Sequence, residues 1–274
     1  MGKTSGRAAG FIEANGTSFY YEACGEGEPL LLIHGLNLDT RMWAEQLSAF
    51  SERYRVISFD LRGMGQTPNA EEPFTLYDDA RAVLQGLGIA AAHVVGHSFG
   101  SVVAQELVLA YPEMVKSLVL VSPTLTGYPR SERRMQDFAR FVEIYETGTK
   151  EETVEMSARM WFDGPGQAAR DESQQARAKY LQMTAHAYDL PKLKNPPLWL
   201  APPPIERLEE IAVPTLVIAG QKDYEDFQKM AEELEARIPN AEKILLPDSA
   251  HLPPMDQAPV FNRIVLSFLE QARQ

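Results

Sequence analysis

Between Thr17 and Ser122, short apolar runs alternate with stretches whose apolar residues recur every three or four positions. Strand and helix in alternation imply a parallel sheet with helices packed against it. The run Thr17 to Cys24 ends at Gly25-Glu26-Gly27 and predicts an early β-hairpin region. A later run, Ala90 to Val95, leads through Gly96-His97-Ser98-Phe99-Gly100 into Ser101 to Leu107, whose spacing is helical. From about Pro123 to Arg207 the strand rhythm stops. Apolar residues keep helical spacing there: Met135, Phe138, Val142 and Tyr145, then Met156 and Met160, then Tyr180, Met183 and Ala187. This reads as an inserted helical unit. Its proline-rich exit, Asn195 to Pro204, cannot continue a regular helix and predicts a stiff connector back to the core. Strand, helix and strand resume from Pro214 to Leu246, and Pro259 to Ala272 predicts a closing amphipathic helix.

Composition narrows the class. A chain of 274 residues with 45% hydrophobic content suffices for one α/β domain carrying an insertion. The formal net charge of −12, with acidic residues spread along the chain, argues against nucleic acid, which needs a basic footprint. No apolar run reaches membrane-spanning length, and the amino-terminal segment lacks the apolar core of a signal peptide. The start Met1-Gly2-Lys3-Thr4-Ser5-Gly6 has Gly6 where myristoylation requires Ser or Thr. With the single Cys24 excluding an internal disulfide, the expectation is a cytoplasmic protein with no membrane partner. The lone cysteine also excludes a thiolate cluster, and neither a metal nor another cofactor is expected. Gly25 to Pro29 lacks the third glycine and the Lys-Ser/Thr pair of a phosphate loop.

Strand, sharp turn and helix with a serine at the apex is the most informative pattern in the chain. A turn this tight crowds the backbone, so small residues are needed at Gly96 and Gly100, and the Ser98 hydroxyl is pushed outward. A nucleophilic serine needs a base, and the base needs an orienting acid. The apolar run Pro214 to Gly220 is followed three residues on by Asp223, and the run Ala241 to Pro247 by Asp248-Ser249-Ala250-His251. Ser98, Asp223 and His251 then share the carboxyl edge of one parallel sheet, where open α/β sheets bind ligands. Asp226 and Asp248 are the alternative acids. Asp226 fits the start of the helix through Phe227 and Met230, and Asp248 fits a solvated loop, so the acid is read as Asp223.

With Ser98, Asp223 and His251 in that order, the chain resembles the α/β-hydrolases, from about Phe19 to Leu269. Pro29 to Leu36 looks like the family's third strand and His-Gly turn, and Arg55 to Thr67 like its D-x-R-G-x-G-x-[ST] loop, an architectural element. The resemblance implies an α/β core with a mostly parallel eight-stranded sheet flanked by helices, formed by residues 1–123 and 208–274, and an α-helical cap, or lid, over 124–207. It also implies an oxyanion hole made by the backbone N–H groups of Leu36 and Phe99, with His34 and His97 structural. One departure is Ser101, where many relatives carry a second glycine after the turn. Relatives that open haloalkanes or epoxides use Asp at the apex, so Ser98 excludes both chemistries.

The implied activity is that of a serine hydrolase. It would cleave carboxylic esters or lactones of small to medium, largely apolar substrates through an acyl-enzyme. Trp43, Phe138, Met160, Trp161 and Leu252 are the candidates for substrate contact. Asp39 with Thr40 is read as the start of the helix carrying Trp43, and His186 as a helix-surface histidine. The same family implies other outcomes for this site: a carbon–carbon bond hydrolase, a perhydrolase, or a small-molecule receptor without catalysis.

Overall fold

The computed structural model describes residues 6–70, 72–170, 173–192 and 195–273, so Met1 to Ser5, on which the leader and myristoylation readings fall, lie outside the described residues. Eight strands form one sheet: β1 (Ala8–Ala14), β2 (Thr17–Cys24), β3 (Glu28–Ile33), β4 (Tyr54–Phe59), β5 (Ala92–His97), β6 (Val115–Val121), β7 (Thr215–Gly220) and β8 (Ala241–Leu246). Their spatial order is β1-β2-β4-β3-β5-β6-β7-β8. β2 runs antiparallel to both β1 and β4, and every other pair is parallel. β5 and β7 are buried along their whole length, which is why their sequences are continuous apolar runs rather than alternating ones.

One predicted element is corrected. The hairpin closes between β1 and β2 at Asn15-Gly16, both at positive φ, and the Gly25 to Gly27 turn closes none. Leu30, Leu31 and Leu32 are completely buried, so β3 takes parallel partners on both edges, β4 and β5. β2 is left with the outer edge of β4.

Helices cover both faces. Trp43, Leu47 and Phe50 of the segment Thr40–Trp43 and α1 (Ala44–Phe50) pack in one cluster with Phe261, Val265, Phe268 and Leu269 of α9 (Ala258–Gln271). The other cluster holds α2 (Leu76–Gly86), α3 (Phe99–Ala110) and α7 (Glu225–Arg237) against the opposite side of the sheet. Asp39 caps the 3-10 turn that leads to Trp43, as read from the sequence. A short α8 (Pro253–Asp256) follows β8.

The insertion leaves after β6 and returns before β7. It consists of α4 (Glu132–Thr147), α5 (Lys150–Ser157), a π-helical segment Ala158–Asp163, and α6 (Gln174–Asp189). Ser131 caps α4, and Thr149 with Glu152 forms a reciprocal capping box on α5. The spacing of Met156 and Met160 predicts a continuous α-helix, but the last six residues widen to i→i+5 geometry. The proline-rich exit lies against the core as a connector. Leu198 N–H donates to the Phe74 carbonyl at 2.8 Å, and Leu200 N–H to Glu106 Oε1 at 3.1 Å. Glu106 is buried, and that burial pushes its carboxyl up to about 7. No helix among the described residues is long and apolar enough to cross a membrane.

Candidate active site

β5 ends at His97, and Ser98 stands at the turn with φ 51° and ψ −113°. A non-glycine residue in that region is strained, and here the strain lifts the side chain clear of the sheet. Neither flanking glycine tolerates a larger residue. A Cβ on Gly96 would lie 2.4 Å from the Gly100 carbonyl oxygen, and one on Gly100 2.4 Å from that of Ile33. Ser98 N–H is tied to the Val121 carbonyl at 2.8 Å, which locks the turn to β6.

The three residues read from the sequence converge. Ser98 Oγ–H reaches His251 Nε2 at 2.8 Å, and His251 Nδ1–H donates to Asp223 Oδ2 at 2.6 Å. A carboxylate can only accept, so the Asp223 bond puts the proton on Nδ1 and leaves the Nε2 lone pair toward the serine. The other oxygen, Oδ1, accepts Tyr224 N–H at 2.8 Å, and the side chain is fully buried. Asp248 is mostly exposed and pairs with Lys222, the solvated-loop role expected of it. Asp226 does sit in the first turn of α7, but its carboxylate faces the insertion.

Several neighbours of His251 were not legible as such. Phe227 lies 4.3 Å from its ring, Trp161 5.0 Å and His97 5.2 Å, centre to centre. His97 is fully buried, and burial with the adjacent His251 lowers its pKa to about 3. The neutral ring donates Nε2–H to the His251 carbonyl at 2.8 Å. Asp256 holds the same loop from below, accepting Ser249 Oγ–H at 2.7 Å and Ala250 N–H at 3.1 Å, and pairing with Arg170 of the insertion at 2.9 Å. Burial raises Asp256 to about 6. Nothing in the sequence marks it, because its partners come from other loops. His34 accepts the Leu61 N–H at 2.9 Å and is structural, and His186 reaches the Gly65 carbonyl from the surface of α6. His93 and His97, four residues apart, lie on a strand and bond to different groups. Among the described residues no three His, Cys, Asp or Glu side chains come together as a metal-ion site.

Phe99 opens α3, so its N–H has no carbonyl one turn back to bond. Leu36 lies in the turn after β3, its side chain more than half exposed. Leu36 also lines a cavity of about 320 Å³ between core loops and insertion, with Met64, Phe141, Tyr145, Tyr188 and Lys192 among its walls. That volume suits a small to medium ligand. Of the residues proposed to touch substrate, Trp43 and Leu252 are fully buried in the core and Met160 nearly so, leaving no surface open to a ligand. Phe138 is half-exposed on α4, stacked at 6.2 Å on Phe141, and it is Phe141 that reaches the cavity. Trp161 lies on His251 instead.

The sequence pattern of the alpha/beta hydrolase fold family matches residues 28–258. The chain belongs to the α/β-hydrolase family. Its relatives include a protein of Mycobacterium tuberculosis provisionally named non-heme bromoperoxidase BpoC, 30% identical over 92% of this chain and 98% of its own length. Among solved structures, naproxen esterase from Bacillus subtilis superposes with a TM-score of 0.80 at 22% identity, covering 97% of this chain and 92% of that one. The enol-lactonase from Burkholderia xenovorans gives 0.74 at 22% identity over 95% of this chain and all of the other. The α/β-hydrolase chain is an enzyme of this hydrolytic family. Its departure at Ser101 has a clear physical use: the buried hydroxyl donates to the Ser98 carbonyl and accepts Thr124 N–H at 2.9 Å. The apex is thereby tied to the start of the insertion, where glycine would offer no bond.

Proposed function

We propose that this α/β hydrolase cleaves carboxylic esters or lactones by acyl transfer to water. Ser98 attacks the carbonyl while His251 takes its proton, and Asp223 orients and stabilises the imidazolium. The oxyanion is received by the N–H groups of Leu36 and Phe99. Water activated by His251 then releases the acid. The observation that carries the reading is the continuous chain of bonds from Ser98 Oγ to Nε2 at 2.8 Å and from Nδ1 to Asp223 at 2.6 Å.

The segment 124–207 acts as the lid over a core of residues 1–123 and 208–274, and the cavity under it takes the acyl group. The wall is largely apolar. Its serine and threonine hydroxyls are committed elsewhere: Ser157 pairs with Tyr180, and Thr153 and Thr184 bond carbonyls of their own turns. This supports a largely apolar substrate, and the names of the naproxen esterase and the enol-lactonase agree with ester or lactone chemistry. The bromoperoxidase name of the M. tuberculosis relative supports a second reading, in which peroxide replaces water as acyl acceptor.

A fluorophosphonate and a panel of chromogenic esters and lactones of graded acyl length test the proposal. One adduct on Ser98, turnover, and loss of both in Ser98→Ala are expected. Folded protein without label or turnover would leave a ligand receptor on the same fold. A peroxide-dependent halogenation assay separates the second reading.

A further inference from the structure

His251 is held from the cap by contacts that its bonds to Ser98 and Asp223 do not require. Its backbone N–H donates to the Trp161 carbonyl at 3.2 Å, and the Trp161 ring sits 5.0 Å from the imidazole. Both contacts follow from the π segment. The last carbonyls of a helix lack partners within it, so near the end of Ala158–Asp163 the Trp161 C=O is free to serve another loop. The end of that segment is itself fixed, because buried Asp163 takes Arg177 of α6 at 2.8 and 2.9 Å. On its other sides the Trp161 ring packs edge-on against Tyr224 at 5.5 Å and Phe227 at 6.1 Å. It therefore touches the base and the residue following the acid. Trp161 is not among the residues that line the cavity beside Leu36.

We propose that Trp161 is a positioning residue for the proton-transfer step. From the cap it sets the height and tilt of the His251 loop and ring, so that Nε2 meets Ser98 Oγ while Nδ1 stays on Asp223. The proposal rests on the assignment of Ser98, Asp223 and His251 made above. Proton transfer depends steeply on such placement, since a misplacement of about 1 Å costs on the order of a hundredfold in rate. A cap held this way does more than bound the substrate: undocking it would disengage the base.

The test uses reagents too small to need the acyl cavity: a dialkyl fluorophosphate, and p-nitrophenyl acetate. Labelling of Ser98 in the unaltered protein is measured first, and its absence would overturn the serine mechanism itself. Given labelling, Trp161→Ala should lose about 10- to 100-fold in both labelling rate and kcat, with KM little changed, and Trp161→Phe should recover most of it. Trp161→Leu keeps apolar volume should alanine unfold the cap, and carries the same expectation. A folded Ala or Leu variant that labels at the parental rate, with only KM or chain-length preference altered, would make the ring a cavity wall and overturn the proposal.

Discussion

Asp226 accepts the amide of Ser131 with both carboxylate oxygens, each at 3.0 Å. The bond joins the first turn of α7 to the capping residue of α4, across 95 positions of sequence. Arg134, one turn into α4, approaches the same carboxylate at 3.5 Å and lies 4.4 Å over the ring of Phe227, the ring that packs on His251. Asp226 is thus an anchor for the insertion.

Asp223 and Asp226 should separate cleanly on substitution. Asp223→Asn offers Nδ1 an amide that favours the wrong tautomer, and kcat on a chromogenic ester should fall about 10⁴-fold with the fold retained. Asp226→Asn keeps the Ser98–His251–Asp223 bonds but leaves the buried Arg134 guanidinium short of a counter-charge, so the urea midpoint should fall by the equivalent of about 1–3 kcal/mol while most of kcat survives. Equal losses of kcat in the two variants would mean that the orienting acid had been misassigned.

What was legible in the sequence was local. Ser98 declares itself through a strand, a tight turn and a helix that are contiguous, and Asp223 and His251 each follow an apolar strand by a few residues. The substrate contacts needed directions in space. Trp43 and Leu252 are apolar and close in sequence to site loops, yet such residues pack inward as readily as they face a ligand, and here both are core. Met160 continues the helical spacing of Met156, and it too is buried. A π turn adds a residue, so directions beyond Ala158 cannot be extrapolated from α spacing. The Asp226–Ser131 and Asp256–Arg170 links join distant loops and leave no periodic signal.

Arg177 bridges Asp163 and Glu155 with contacts of 2.8 to 3.1 Å, and both Arg177 and Asp163 are largely buried. Arg177→Met would leave the Asp163 carboxylate buried and unpaired, which costs about 3–5 kcal/mol. Chemical denaturation should show that loss, and Asp163→Asn added to the same chain should return most of it. A single variant as stable as the parent would mean that Asp163 escapes to water when released.

Glu106 makes stability depend on pH. Its carboxyl titrates near 7 when folded, against 4.5 for the free group, because it is buried. A raised folded pKa in an acid means that the stabilising state is the neutral one. Its contribution is complete below about 4.5 and is lost as pH rises through 7, by on the order of 3 kcal/mol. Glu106→Gln keeps an acceptor for Leu200 N–H and carries no charge. Relative to the parent, it should gain stability from about pH 4.5 to about pH 7 and level off above that in denaturation curves. A difference constant over that range would show that Glu106 stays ionised in the fold.

The cavity makes the sharpest demand on the acyl-site assignment. Phe141 and Tyr145 project from α4 into it and stack at 6.4 Å, with Tyr188 of α6 edge-on to Tyr145 at 5.6 Å. Shrinking a wall residue enlarges the space for an acyl chain without touching the groups that move protons. Phe141→Ala and Tyr145→Ala should therefore redistribute kcat/KM along a graded ester series, by about 1–3 kcal/mol per methylene accommodated or lost, while labelling of Ser98 by a small fluorophosphate continues at the parental rate. Phe138→Ala, one step outside the wall, should move the preference less. Trp43→Ala provides the contrast. Its side chain is fully buried against Leu47 and Phe50, so it should cost about 3–5 kcal/mol of stability and leave the length profile of the surviving folded enzyme unchanged. If Trp43→Ala shifted the profile and Phe141→Ala did not, the acyl group would lie on the core side of Leu36, and the cavity under the cap would serve some other part of the substrate.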